Sequence, residues 1–543
     1  MLTILLSILL NIFTPPVDYG ISLAGNFGEP RPHHFHGGLD VKTDNVEGKH
    51  IYAIADGYVS RITVGLSGFG NAVYVTHPTG QTSVYCHLKS FSPRIKAALR
   101  RYQYRHKTCV ADARLTPLEV PVSAGQFIAL SGNTGHSTGP HLHLELHDTR
   151  TWDMLDPYEA LADYLNDSVP PQAHGFEAIP QYDGIFNGGH GKQNFGFPGH
   201  HLQQQFTAWG RVGFALWAND YMQGTYNHYG IRYTRLLVDG REVFRSDVSR
   251  IPMSLNRMVN VWGDYEHYRH SNVWYMKSYL EPGCRLPILW ADENRGIVTF
   301  NEERPYRIEY VLRDFKGNES RYSFTVQGQR PANDVALTPH LSPLTSIVLR
   351  CDRISSYSRP GMQLIVPQGL LPYDVPLQPT VQERPGASSA AYSFTATSLP
   401  LLTDAELSIY IRRKGGDPSK YFLTNEQGRF LGGVYHDGWV TGNVRELAGI
   451  YQLAYDDQPP SVEQVSSGQR MVLRVTDAGS GIASWTAEVD GRFIVFDAVE
   501  KTSHYVCDFT ESWLRPNGRQ HQLKFTAIDN RQNKFVYETS FCY

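Results

Sequence analysis

The chain carries no excess of charge of either sign. Its 50 Lys and Arg against 53 Asp and Glu leave a formal net charge of -3 over 543 residues. No global field therefore argues for nucleic acid or for a membrane surface as partner. Beyond the first residues no apolar run is long enough for a transmembrane helix. Cysteine is sparse, six in all. That number fits an exported protein and allows two bridges, Cys507 with Cys542 and Cys284 with Cys351. The His-Glu-x-x-His motif is missing, which excludes the helical zinc site in which a Glu is the base. Helical periodicity is rare after about residue 165. Tyrosine (32) and phenylalanine (25) are plentiful instead, and turn residues are dense, which favours a mainly β architecture.

What is present is concentrated in Ser131-Gly132-Asn133-Thr134-Gly135-His136-Ser137-Thr138-Gly139-Pro140-His141-Leu142-His143-Leu144-Glu145. A glycine turn enters a strand. Side chains of a strand alternate faces, so His141, His143 and Glu145 point one way, and Leu142, Leu144 and Leu146 point the other way, into a core. Two imidazoles on one wet face are placed to share a zinc ion and its water.

A second half-site lies about a hundred residues earlier. Phe35-His36-Gly37-Gly38-Leu39-Asp40 sets a His and a carboxylate four apart, and glycine allows the sharp path that brings both to one point. Nitrogen and oxygen ligands suit zinc, and three of them leave a position open for water. A third piece is Tyr85-Cys86-His87-Leu88, after the alternating run Ala72 to His77. Cys86 reads as a small buried hydrophobe rather than a ligand.

Together these pieces resemble the lysostaphin/LytM-type zinc endopeptidases, which carry His-x-x-x-Asp, Tyr-x-His-Leu and Gly-x-Ser-Thr-Gly-Pro-His-x-His elements in this order. Ala55-Asp56-Gly57-Tyr58-Val59, Gly68-Phe69-Gly70-Asn71 and Val122-Ser123-Ala124-Gly125-Gln126-Phe127-Ile128-Ala129 resemble further marks of that family. The resemblance covers about residues 20 to 160. It implies one Zn2+ per chain, held by His36, Asp40 and His143. It implies His141 and His87 as the catalytic imidazoles, one helping to deprotonate water and one donating to the oxyanion or leaving amine. The individual assignment stays open. It also implies a barrel-like antiparallel sheet and hydrolysis of stem peptides or cross-links of bacterial peptidoglycan. The alternative is a non-catalytic scaffold or activator of a cell-wall amidase, although inactive relatives have lost ligands that this chain keeps.

One departure from the family pattern is a long insertion after His87. Ser92-Pro93 is a helix start, and Ile95, Ala98, Leu99 and Tyr102 follow at helical spacing. Its other face is basic, with Arg94, Lys96, Arg100, Arg101, Arg105 and Lys107. This face reads either as solvated or as one wall of the substrate groove. His33 and His34 read as exposed loop residues or as part of the cleft.

The N-terminus, Met1 to Phe13, is apolar and too short to span a bilayer. It fits the core of a signal peptide, or else a buried element of the first domain. Residues 1–14 are expected as a signal segment and 15–165 as the peptidase domain. Export to the periplasm or cell envelope follows, and with no Cys close behind the run, no lipid anchor. After Val169-Pro170-Pro171-Gln172, residues 174–330 and 459–543 read as two related β-sandwich modules. Each carries an Asp-Gly hairpin (Arg235 to Phe244; Glu488 to Phe496), and Asp477-Ala478-Gly479-Ser480-Gly481-Ile482 is a turn common in such modules. They resemble immunoglobulin-like domains of Bacteroidetes-type envelope peptidases, which implies contacts with cell wall or envelope proteins. Residues 331–458 read as a further β-rich segment of unassigned fold.

Overall fold

A computed structural model of the chain describes residues 12–65, 68–331, 347–395, 400–413, 415–499 and 501–543. Most of the expected signal segment therefore lies outside the described residues. The architecture is mainly β, in several sheets.

The first region is an antiparallel sheet built from Leu23–Gly25 (β1), Gly38–Lys42 (β2), Gly57–Val64 (β3), Ala72–Thr76 (β4), Gln81–Cys86 (β5), Ala111–Arg114 (β6) and His141–Asp148 (β8). Its strand order is β1-β2-β8-β5-β4-β3-β6. Phe127–Leu130 (β7) pairs separately with His50–Tyr52 and Ser90–Phe91. Leu142, Leu144 and Leu146 of β8 are buried with Leu39, Val41, Val73, Val75 and Tyr85 in the core between these layers. Burying each leucine contributes about 1.5–3 kcal/mol. That burial fixes the register of β8, because a one-residue slip would turn every histidine of the strand into the core.

The insertion forms a helix, Pro93–His106 (α1), with Pro93 in its first turn and Ile95, Ala98 and Leu99 buried. Part of its basic face is engaged by the last module, while Arg94, Arg101, Arg105 and Lys107 stay exposed. Arg100 pairs with Asp497 through two hydrogen bonds of 2.5 and 3.0 Å, and Lys96 reaches Glu511 at 2.5 Å. Tyr104 packs edge-on against Phe493. The helix is thus a docking face for the C-terminal module, whose core also takes in Cys109.

After the Pro170-Pro171 linker, one continuous array runs from Gln172–Pro180 to Glu319–Gly328, crossed by the long strand His201–Tyr221. Its core is rich in phenylalanine: Phe176, Phe186, Phe206, Phe214, Phe300 and Phe324 are all fully buried. The Asp-Gly hairpin forms with Val238 opposite Arg241, and its later echo with Val489 opposite Arg492. Asp239 and Gly240, like Asp490 and Gly491, take the positive φ that such two-residue turns require. Unforeseen in the sequence is a helical excursion in this array, Met253–Met258, Val259–Trp262 and Tyr265–Ser271, which packs back on the first region. Strand pairing crosses the same junction, Met154 with Ile251 and Leu155 with Arg250.

The segment after residue 346 holds a five-stranded and a four-stranded sheet over one core. The last module is two four-stranded sheets. All six cysteines are free, so neither expected bridge forms. Cys507 faces the core from one sheet of the last module, whereas Cys542 is exposed on the edge strand of the other. Cys284 and Cys351 sit in separate units.

Candidate metal centre

Register brings the metal set together. β8 lies between β2 and β5, with His143 directly opposite Asp40 on one side and Cys86 on the other. His36 enters from the turn before β2. Glycine is required there. A Cβ on Gly38 would stand 2.1 Å from the carbonyl oxygen of Leu144, and one on Gly37 would stand 2.4 Å from Oε1 of Glu145.

Nε2 of His36 lies 2.9 Å from Nδ1 of His143 and 3.0 Å from Oδ1 of Asp40, and His143 Nδ1 lies 2.8 Å from the same oxygen. The other ring nitrogens are committed. His36 Nδ1 donates to the carbonyl of Asn26 at 2.6 Å, because a carbonyl can only accept. His143 Nε2 donates to Oε1 of Glu145 at 2.9 Å, and the second carboxylate oxygen takes Nε2 of His147 at 2.6 Å. The remaining lone pairs of His36 and His143 therefore converge with a carboxylate oxygen on one point, an acceptor-only arrangement that calls for a cation. Zinc bonds of about 2.1 Å put tetrahedral ligands roughly 3.4 Å apart, so the set fits zinc with a small outward adjustment. The imidazoles that carboxylates and carbonyls orient are the usual support of such ligands.

The electrostatics agree. Burial drives His36 down to about 4, which keeps it neutral. Burial would lower His143 too, but its hydrogen bonds to Asp40 and Glu145 outweigh that and raise it to about 9. The pocket thus attracts positive charge at Nδ1 of His143. Burial would raise Asp40, yet the surrounding imidazoles hold it well below the usual carboxylate range.

His87 and His141 stand beside this set, their ring centroids 4.9 Å apart. Nδ1 of His87 donates to the carbonyl of Thr134 at 2.7 Å, and Nδ1 of His141 to that of Gly139 at 2.8 Å. Nε2 of each is thus the atom left for chemistry, that of His141 lying 3.3 Å from Oδ1 of Asp40. Burial and the neighbouring rings of His143 and His141 push His87 down to about 3. His87 takes φ of +59°, a left-handed conformation that breaks the alternation of β5 and turns its ring to the site. Phe69 stacks over His143. Gly70 and Gly135 approach so closely that a Cβ on either would fall within 2.5 Å of the other's backbone, which locks the Gly-x-Gly-Asn turn to the glycine loop.

All five predicted residues are brought to one place. His33 and His34 separate: His34 is exposed, and His33 lies against Tyr265 of the helical excursion. Three contributions were not foreseen. Glu145 supports His143, and the only sequence signal for it was its place on the same strand face. Asn256 and Asn260 accept the backbone N–H groups of Phe35 and His33 at 2.6 and 3.2 Å, holding the His36 loop from the second unit. Lys501 of the last module reaches Asn133 Oδ1 and the carbonyl of Ser137 at 2.7 and 2.6 Å, on the rim of the site. Nothing in the sequence marked these last two.

Residues 34–157 match the sequence model of Peptidase family M23, and residues 346–456 match that of the Zu5-like domain. The latter gives a family to the segment whose fold the sequence left open. An uncharacterized metalloprotease of Haemophilus influenzae is 34% identical over 120 residues, 22% of this chain and 19% of that protein. DD-carboxypeptidase/endopeptidase Mpg of Neisseria meningitidis serogroup B is 32% identical over 110 residues, 20% of this chain and 19% of its own length. The match thus spans about a fifth of the length of these curated relatives. Among solved structures, the catalytic domain of lysostaphin from Staphylococcus simulans aligns at 23% identity, covering 25% of this chain and 89% of that one with a TM-score of 0.19. A zinc-containing peptidase from Vibrio cholerae aligns at 26% identity, covering 27% and 39%, with a TM-score of 0.20.

Proposed function

We propose, from the premise that residues 34–157 are an M23 peptidase domain, that this chain is a zinc-dependent endopeptidase of the cell envelope. Its substrates are the stem peptides or peptide cross-links of peptidoglycan. The observation that carries the reading is the convergence of His36, Asp40 and His143 beside two further histidines whose Nε2 atoms are free of carbonyl partners.

His36, Asp40 and His143 would hold the zinc, which would supply a Lewis acid and a lowered pKa for the attacking water. The protein's own groups do the rest. Asn26 and Glu145 keep the ligand imidazoles in the required tautomers and orientation. His141 and His87 present Nε2 on the open side, where one takes a proton from the attacking water and one donates to the carbonyl oxygen or the leaving nitrogen. The low pKa of His87 keeps it neutral, so its Nε2 is an acceptor until a proton is delivered during turnover. Phe69 and the interlocked glycine turns shield the ring of His143 from solvent.

The name of the Neisseria relative supports a peptidoglycan substrate for this domain. The apolar N-terminus supports export. The β modules, immunoglobulin-like in pattern, are read as contacts to cell wall or envelope proteins. The test is mass spectrometry of fragments released from purified sacculi by the pure protein. New peptide termini within cross-links, lost with chelator and restored by zinc, support the reading. Intact cross-links throughout would refute it.

A further inference from the structure

A second cluster of cation-ligating groups lies outside the peptidase site, where the peptidase region meets the first β module. Carboxylates of Asp167, Asp220 and Asp314 each place an oxygen within 4.8 Å of the others. Asp167 lies in the linker after the peptidase region. Asp220 ends the long strand His201–Tyr221, and Asp314 follows the strand Pro305–Arg313. No described Lys or Arg forms an ion pair with any of them. Asp220 is 7% exposed and its Oδ1 has no hydrogen-bond partner. The buried hydroxyl of Tyr158, which the peptidase region contributes to the same junction, is likewise unpartnered. An unpaired buried carboxylate between two others is costly unless a proton or a cation compensates it. Burial first, then Asp167 and Asp314, push Asp220 up to about 9, in the direction expected of a site that resists bare negative charge.

The chain contains its own control. Asp456, Asp477 and Asp529 form a matching cluster at the entry to the last module. The wiring repeats. Asp314 accepts the backbone and side-chain N–H of Asn318 at 2.9 and 2.6 Å, and Asp529 accepts those of Asn533 at 2.8 and 2.8 Å. Asn318 and Asn533 also point their amides at the carbonyls of Asp167 and Asp456, each just before a Pro-Pro linker. The third member differs. Asp477 is capped by the N–H groups of Gly479 and Gly481, and Asp456 by that of Ser480, all from the Asp-Ala-Gly-Ser-Gly turn. In the first module no such turn exists, and Asp220 is left with a bare oxygen.

We infer that Asp167, Asp220 and Asp314 form a calcium site that fastens the peptidase region to the first β module. All-oxygen, carboxylate-rich ligation suits a hard cation, and calcium accepts an irregular oxygen cage at about 2.3–2.6 Å where magnesium demands a near-ideal octahedron and keeps several waters. The second cluster uses backbone donors for the same purpose. The site is distinct in ligand class and place from the histidine set. It fixes the unit that carries Asn256 and Asn260, which hold the His36 loop.

The experiment uses the full chain, freed of calcium, with zinc content checked in every arm. Calcium and magnesium are titrated by calorimetry and by thermal melting at neutral pH, with chymotrypsin cleavage after the exposed Tyr164 followed in parallel. The expected result is calcium binding in the range of about 0.1–1 mM, as in extracellular modules. It raises the melting temperature by several degrees and slows cleavage, while magnesium at equal concentration does much less. Asp220→Asn weakens calcium binding at least tenfold and removes the thermal response, whereas Asp477→Asn leaves both as in wild type. If Asp220→Asn does not fold, Asp167→Asn in the half-buried linker carries the same expectation. Wild-type protein without a calcium response would overturn the inference, leaving Asp220 as a protonated acid. A response that survives Asp220→Asn or Asp167→Asn, or that Asp477→Asn removes, would overturn it as well.

Discussion

Glu145 receives the Nε2–H of His143 at 2.9 Å, two residues along the same strand, and is itself held by His147 at 2.6 Å. A carboxylate can only accept, so this contact fixes the proton of His143 on Nε2 and turns Nδ1 toward His36 and Asp40. Removing the carboxylate frees the ring without touching a ligand. Glu145→Ala is expected to weaken zinc affinity by about 10–100-fold, measured by competition with a chromophoric chelator. Glu145→Gln should fall between this variant and wild type.

The ligands and the proton carriers should separate in mutants. His36→Ala, Asp40→Ala and His143→Ala lose zinc and activity together. His141→Ala and His87→Ala keep zinc stoichiometry and lose turnover by about 10²–10⁴-fold. Metal analysis beside peptide hydrolysis reads both.

The support of the His36 loop from the second unit predicts a remote effect. Asn256→Ala leaves the buried N–H of Phe35 without its acceptor, at a cost of about 1–3 kcal/mol. The variant should fold, lose melting temperature, and release zinc faster than wild type. For the same reason a chain ending near residue 165 should hold zinc less well than the full protein, as equilibrium dialysis would show.

Buried Asp156 gives a pH dependence. Burial raises it from 3.8 to about 7, against which the N–H of Tyr158 and the charge of Arg232 act only partly. The folded state therefore binds a proton that the unfolded state has lost between about pH 4 and 7. Stability from this group falls as pH rises through that window and is flat above it. Asp156→Asn should remove the slope. It should raise the melting temperature at pH 8, by up to about 4 kcal/mol of stability, and leave it little changed at pH 4.

The docking of α1 predicts that its basic face matters for stability rather than for substrate. Arg100→Ala and Asp497→Ala should each lower the melting temperature and couple in a double-mutant cycle by roughly 1 kcal/mol, discounted for the partial exposure of Asp497. The Michaelis constant for a small soluble peptide should stay as in wild type.

His141 and His143 were legible through strand alternation and His36 and Asp40 through their glycine turn, which are local rules, whereas His87 and the division into ligands and proton carriers came from the family resemblance. His143 and Asp40 meet by register, and the leucines between the histidines set that register. Glu145 was half legible: alternation placed it on the site face, but its partner His147 and its hold on His143 depend on rotamers. Asn256, Lys501 and the partners of α1 were not legible. Their contacts bridge more than two hundred residues, and a basic helix face looks the same in sequence whether it meets water, substrate or Asp497. The expected bridges failed for a related reason. Cysteine count says nothing about which sheet face Cys507 and Cys542 occupy.

The most direct test is an anomalous difference map at the zinc edge from crystals of the full chain. One peak is expected within bonding distance of His36 Nε2, Asp40 Oδ1 and His143 Nδ1, with His141 and His87 outside that distance, and none in crystals of His143→Ala. A peak bonded to His141 or His87 in place of one of the three, or an undiminished peak in His143→Ala, would contradict the assignment of ligands and proton carriers.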